Sequence, residues 1–277
     1  MLAPVASSLE SPDELFALRE LVRRRFGLFF ADESAFLLAR RAGDRARSLG
    51  LSGLPDYCIY LESASIPASE RERELGELFD QLSTRETYFF RERYQLDAFR
   101  QALLPRLAHE KSRETGSPSL SVLSAGCASG EEVYSLAIAI HESGLFAPNA
   151  VRVVGVDLSS RALATARKRI YGPASFRDGE VADERYFRKL EGGLVEVREE
   201  ITRCCSFVRL NLAAPLWSDL GGPFDAIFCR NVLIYFDRDR AHESGARAGL
   251  LRRLAEQLRK SGRLFLGHAE SLIGQTT

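Results

Sequence analysis

The stretch Ser121–Glu132, Ser-Val-Leu-Ser-Ala-Gly-Cys-Ala-Ser-Gly-Glu-Glu, joins a short apolar run to two glycines and a pair of acids. Gly126 and Gly130 would let the backbone turn sharply and pass close to a ligand where a Cβ would intrude. Charge decides which ligand suits such a turn. A pyrophosphate at a helix N-terminus wants bare N–H groups, whereas Glu131 and Glu132 stand there and favour positive charge. S-adenosylmethionine, with its sulfonium and ammonium groups, meets that requirement. The spacing also departs from the G-x-G-x-x-G of dinucleotide-binding turns, which disfavours a dehydrogenase. One strand–helix–strand step later, Val151–Val156 ends in Asp157, where an acid can accept from both ribose hydroxyls of an adenosine. The competing reading is an ordinary αβ turn with Asp157 capping the next helix.

The elements that must position these residues alternate. Leu120–Ser124 reads as a buried strand, and Glu131–Ser143 carries Val133, Leu136, Ala137 and Ile140 at helical spacing. A helix over Asp157–Ile170 turns Leu163 and Ala166 inward, and strands follow at Ser206–Leu210 and Pro223–Cys229. A helix over Arg240–Lys260 stops at Gly262, and Arg263–Gly267 supplies a fifth strand. This is a doubly wound α/β pattern, and Asp157, Asn211, Asn231 and His268 all fall at strand ends. Open α/β sheets bind ligands at that carboxyl edge. Between Tyr171 and Cys205 the rhythm changes: Val181–Phe187 reads as a short helix, and Leu194–Arg198 alternates after Gly192-Gly193, a hairpin signal. An inserted antiparallel subdomain over about 172–205 is expected, with the adjacent Cys204 and Cys205 simply packing.

Upstream lies a helical region. Residues 1–12 read as a loose arm, and Ser11-Pro-Asp-Glu14 marks a helix start. Further helical runs cover Asp32–Leu49, Leu54–Leu61 and Ser69–Leu82, broken by Gly27, Gly50 and Gly53. The expected division is an all-α domain over 1–82 and an α/β domain over 83–277. Between positions 19 and 47 eight arginines face four acids, and Arg41 and Arg45 share a helical face. Such a face would steer an acidic macromolecule, the plain alternative being a solvated surface. Next comes Ser83–Glu92, where Phe89 and Phe90 would anchor the segment and Thr87 and Arg91 are left to face a ligand.

Composition closes off other classes. Zero formal net charge over 277 residues provides no global field for nucleic acid. Five cysteines without C-x-x-C spacing suggest neither a disulfide framework nor a metal site. No apolar run approaches the roughly 18 residues of a membrane span, and acids occupy the place of a signal peptide's apolar region. A soluble, cytoplasmic protein is expected.

With these residues in view, the chain resembles the CheR-type family of chemotaxis receptor glutamate methyltransferases from Ser11 nearly to its end. Three blocks carry the likeness: Thr87-x-Phe-Phe-Arg91, Ser124–Glu132, and Phe224-Asp-Ala-Ile-Phe-Cys-Arg-Asn-Val-Leu-Ile-Tyr-Phe236, with Gly267-His-Ala-Glu270 closing. The resemblance implies an all-α domain, a Rossmann-like S-adenosylmethionine domain and a small inserted antiparallel sheet. It implies that the cofactor meets Thr87, Arg91, Gly126, Glu131, Asp157, Asn211 with Leu212, and Asn231 with Val232. Arg91 would orient the substrate carboxylate, Tyr235 would line the methyl channel, and no metal takes part. Arg41, Arg45 and Arg47 would contact the acidic helical cytoplasmic domain of a chemoreceptor. Arg85 stands where the family usually has asparagine, Val133 where it has proline, and Ala128 where it has a hydroxyl residue. The short Glu191-Gly-Gly193 turn implies that no receptor peptide is tethered there. Because the family fold continues beyond Glu270 with two more strands, the stop at Thr277 implies a fragment, one that could carry a further C-terminal domain. Two rival classes are a methyltransferase of a small carboxylic acid and a non-catalytic module that binds S-adenosylmethionine or S-adenosylhomocysteine.

Overall fold

Apolar residues three and four apart build four helices: α1 (Pro12–Phe26), α2 (Asp32–Ser48), α3 (Leu54–Glu62) and α4 (Ala68–Leu82). The structure is a computed structural model that describes residues 12–83, 86–177, 182–217, 220–236 and 245–272. The expected N-terminal arm and Arg85 lie outside the described residues. Leu18, Leu21 and Val22 of α1, Leu38 and Ala42 of α2, Tyr57 and Leu61 of α3, and Leu78 of α4 are buried together. One carboxylate is enclosed with them. Glu74 accepts from the Tyr57 hydroxyl at 2.7 Å and from Nε and Nη2 of Arg45 at 2.8 and 2.5 Å, so its charge is met inside the bundle. The chain divides at Ser83 into this helical unit and a second unit.

The second unit opens with helices that motif spacing does not announce: α5 (Arg93–Ala98), a π turn (Phe99–Leu103) and α6 (Leu104–Thr115). Then β1 (Leu120–Ala125), α7 (Glu131–Ser143), β2 (Val151–Asp157) and α8 (Ser160–Lys168) follow in alternation. Next come β3 (Ile170–Tyr171), β4 (Phe187–Lys189) and β5 (Val195–Val197), then α9 (Glu199–Thr202) and β6 (Cys205–Arg209). The chain then forms β7 (Phe224–Cys229), α10 (Ala246–Glu256) and β8 (Leu258–Leu266). The central sheet is parallel throughout, in the order β6-β2-β1-β7-β8. Because successive side chains leave a strand on opposite faces, Val122, Val153 and Phe228 enter one core while Leu123, Val154 and Ile227 enter another. Covered on both faces, these strands are apolar runs rather than alternating ones. The chain reverses direction across the sheet between β1 and β7. The three-stranded sheet, in the order β3-β5-β4, is antiparallel, with Tyr171 opposite Val195 and Phe187 opposite Val197.

Three local expectations need correction. The helix expected over Arg240–Lys260 is α10, which stops at Glu256, residues 237–244 lying outside the described residues. Nothing in Arg-Lys-Ser breaks a helix before Gly262, but the Gln257 carbonyl accepts from Phe224 N at 2.7 Å and draws the chain into β8 early. Second, the short helix expected at Val181–Phe187 is a single turn at its described end, where Tyr186 N and Phe187 N both donate to the Asp183 carbonyl. Pairing of Phe187 with Val197 then claims the segment for the sheet. Third, α8 begins at Ser160, not Asp157, because the Ser159 hydroxyl accepts from Ala162 N at 2.9 Å and is the cap.

Candidate functional site

At the carboxyl edge of the parallel sheet, β1 ends in a loop that only glycine could build. Gly126 sits at φ 80°, and a Cβ there would lie 2.5 Å from Val232 Cγ2, in the turn after β7. Gly126 N and Cys127 N both donate to the Val156 carbonyl, at 2.8 and 3.0 Å, so the loop leans onto the end of β2. Asp157 completes that attachment, its Oδ2 accepting from Ala128 N at 2.9 Å and its Oδ1 from Ser159 N at 2.8 Å. One carboxylate oxygen thus faces the loop and the other the cap residue of α8, so Asp157 ties the two together. Leu210 N donates to the Asp157 carbonyl at 2.9 Å, which brings Asn211 and the buried Leu212 beside β2. Gly126, Asp157, Asn211, Leu212, Asn231 and Val232 therefore lie just beyond the carboxyl ends of β1, β2, β6 and β7, the edge at which open α/β sheets bind ligands.

Of the two acids that begin α7, each has a different environment. Glu132 accepts from the Ser124 hydroxyl at 2.6 Å and from Arg230 Nε at 2.7 Å, so its charge is met. Glu131 is buried and accepts from the Ser129 and Ser175 hydroxyls at 2.8 and 2.9 Å. Among the described residues no cation pairs with Glu131, and burial pushes its carboxyl above the ordinary range. With Glu132 paired to Arg230, Glu131 alone is left to meet a positive charge. A buried carboxylate of this kind gains from an approaching ammonium group, so the donor set fits a positively charged ligand and fits a pyrophosphate poorly.

The segment carrying Thr87 and Arg91 is held against this edge by its phenylalanines. Phe89 is fully buried, with ring centroids of Tyr171, Phe176 and Phe187 each 4.9 Å away. Phe89 N donates to the Ser175 carbonyl and Phe90 N to the Ser135 hydroxyl, at 2.8 and 2.9 Å. Thr87 is half-buried. The Arg91 guanidinium donates to the Glu86 carbonyl at 2.6 Å and lies 5.7 Å from the centre of the Tyr88 ring. Tyr235, at the end of the turn Leu233–Tyr235, is 37% exposed. A separate pocket, lined in part by Phe90, Arg100, Glu142, Arg185 and Tyr186, contains none of the expected site residues.

Several structural members of the site escaped the sequence reading. Arg230 is buried, donating to the Arg91 carbonyl at 2.7 Å as well as to Glu132. Glu92 accepts from Gln95 Nε2 at 2.9 Å and pairs with His268 Nδ1 at 2.9 Å. Glu270 accepts from three backbone N–H groups, those of Asn231, Gly267 and Ile234. The signal was visible: a charge directly after the apolar run Ala226–Cys229 within β7, and an acid three residues past Gly267. In the helical unit, Arg41 donates to the Leu82 carbonyl at 3.2 Å, Arg47 pairs with Asp44 at the surface, and Arg45 serves Glu74. Among the described residues no group of His, Cys, Asp or Glu could hold a metal ion, and no helix is long and apolar enough to cross a membrane.

Comparison with known proteins finds a likeness in both units. Residues 13–83 match the family described as "CheR methyltransferase, all-alpha domain", and residues 85–277 match "CheR methyltransferase, SAM binding domain". The chain is 34% identical to the chemotaxis protein methyltransferase of Escherichia coli K12, over 92% of this chain and 82% of the relative. It is 30% identical to that of Borreliella burgdorferi, over 95% and 89%. A probable biofilm formation methyltransferase, WspC of Pseudomonas putida, is 34% identical over 91% of this chain but 55% of its own length.

Proposed function

The chain belongs to the CheR methyltransferase family and carries its S-adenosylmethionine-binding domain, and on that premise we propose that it methylates glutamate side chains in chemoreceptor cytoplasmic domains. The observation that carries this reading is the seating of Val232 on Gly126, which brings the turn bearing Asn231 and Tyr235 onto the loop of the cofactor domain. S-adenosylmethionine, when bound, supplies an electrophilic methyl group on a sulfonium. Asp157 holds the ribose, Glu131 meets the ammonium, and Thr87, Arg91, Gly126, Asn211, Leu212, Asn231 and Val232 complete the enclosure.

The nucleophile needs little help. A glutamate with an ordinary pKa of about 4.3 is ionised at neutral pH, so no general base is required. One carboxylate oxygen forms the new C–O bond as the S–C bond breaks, giving a glutamyl methyl ester and S-adenosylhomocysteine with no proton transferred. Placement and exclusion of water do the rest. Arg91 orients the carboxylate without gripping it in the ground state, and Tyr235 lines the path of the methyl group. Arg41 and Arg47 offer positive charge to an acidic receptor helix, whereas Arg45 acts through the fold by way of Glu74.

Peptide mapping by mass spectrometry tests the reading. A receptor cytoplasmic fragment incubated with the protein and S-adenosylmethionine should gain one methylene mass on glutamate-containing peptides. A gain that maps to other residues, or none at all, would overturn it.

A further inference from the structure

Glu270 belongs to no element that the reaction uses, yet it holds the turn after β7 by two bonds and the end of β8 by a third. Its Oε2 accepts from Asn231 N at 2.9 Å and from Gly267 N at 2.7 Å, and its Oε1 accepts from Ile234 N at 3.2 Å. The turn needs such a hold. Asn231 sits at φ 59°, in the left-handed region that asparagine enters more readily than most side-chain-bearing residues but still occupies as the exception. Two residues later the chain winds into the short turn Leu233–Tyr235, whose Ile234 N–H Glu270 satisfies. Gly267 closes the arrangement: a Cβ there would lie 2.7 Å from Asn231 Nδ2 and 2.8 Å from Asn231 N.

We propose that Glu270 is a positioning residue for methyl transfer, fixing Asn231 and the following turn so that Val232 meets the cofactor loop and Tyr235 meets the reacting methyl. The assignment rests on the methyltransferase reading above. Its chemistry is specific to a carboxylate. Both oxygens accept from N–H groups, so a glutamine amide, however it is turned, must point its NH₂ at a donor. A glutamate that served only as surface charge would tolerate that exchange.

The test compares wild type with Glu270→Gln, Tyr235→Phe and the double variant, measuring S-adenosylhomocysteine affinity by calorimetry and kcat on a receptor cytoplasmic fragment. Glu270→Gln is expected to weaken S-adenosylhomocysteine binding about tenfold or more and to lower kcat. In the Tyr235→Phe background its further effect on kcat should shrink, since residues that act as one unit are not additive. Wild-type affinity and kcat in Glu270→Gln, or fully additive losses, would overturn the assignment. Should Glu270→Gln fail to fold, amide hydrogen exchange on wild type decides: Asn231, Ile234 and Gly267 should be protected, and exchange at the rate of an open loop would refute the hold. The calorimetric arm reads Glu270 even if no methyl is transferred to the receptor fragment, so failure of the substrate reading is seen separately.

Discussion

Arg230 donates from Nη1 to the backbone carbonyl of Arg91 at 2.7 Å, so a buried charge at the end of β7 holds the residue assigned to the substrate carboxylate. The same guanidinium gives Nε to Glu132 at 2.7 Å, and Glu132 in turn accepts from Ser124 of β1. One ion pair thus ties the Arg91 segment, the first turn of α7 and two central strands.

Breaking that pair should be expensive. Arg230→Met leaves Glu132 enclosed without a counter-charge, at a cost of about 3–5 kcal/mol. Urea denaturation of the two proteins measures it, and a difference under about 1 kcal/mol would show that water or another cation replaces the guanidinium.

Gly126→Ala places a methyl group against Val232 at a position whose φ is 80°. The strain of about 1–3 kcal/mol should appear as weaker cofactor binding, of the order of tenfold or more. Adding Val232→Ala removes the clash but not the backbone strain, so S-adenosylhomocysteine titration should show partial recovery. Full recovery would mean that φ at this position is not constraining.

The helical unit makes a contrasting case. Arg45→Ala abandons Glu74 in the bundle core and should destabilise the protein by roughly 3–5 kcal/mol in chemical denaturation. Arg47→Ala removes a surface charge whose partner, Asp44, is also exposed, and should leave stability within about 0.5 kcal/mol. Its effect belongs to association: a few-fold slower binding to an acidic receptor fragment, with a weaker dependence on salt, seen by stopped-flow mixing.

Glu131 sets a pH dependence of definite sign. Burial raises its carboxyl in the folded state above the ordinary value of 4.5, so ionising it costs the fold. That cost is absent below about 4.5, grows as pH rises through the raised value, and is complete above it. Glu131→Gln escapes the cost. Its stability relative to wild type should therefore climb as pH rises above about 4.5 and then level off, while its affinity for S-adenosylmethionine falls if the carboxylate meets the ligand ammonium. A stability difference that is flat with pH would show that Glu131 titrates normally.

What the sequence made legible follows from what each signal depends on. The β1–α7–β2 unit could be read because apolar runs and glycines encode it locally, and Gly126 does sit at positive φ against another chain segment. The antiparallel hairpin at Gly192-Gly193 could be read for the same reason. The boundary near Gln257 could not, because pairing with Phe224 decides it, and a partner distant in the chain leaves no local trace; near Phe187 the strand wins over helical spacing only through pairing with Val197 across that hairpin. The site divides along the same line. Residues that would touch ligand stand in the Thr87–Arg91 segment, the Gly126–Glu131 loop and the strand ends, whereas Arg230, Glu92 and Glu270 act by holding other residues. Their types were plain; their partners, 139 residues away for Arg230 and Arg91 and 176 for Glu92 and His268, were not.

The central claim is the glutamyl ester, and transfer of labelled methyl from S-adenosylmethionine to a receptor cytoplasmic fragment tests it most directly, wild type beside Arg91→Ala. Base treatment should release labelled methanol from the wild-type product, and the release should fall at least about a hundredfold with Arg91→Ala, the scale expected when an orienting group is lost. Label that resists base, or release that is unchanged in Arg91→Ala, would contradict the account.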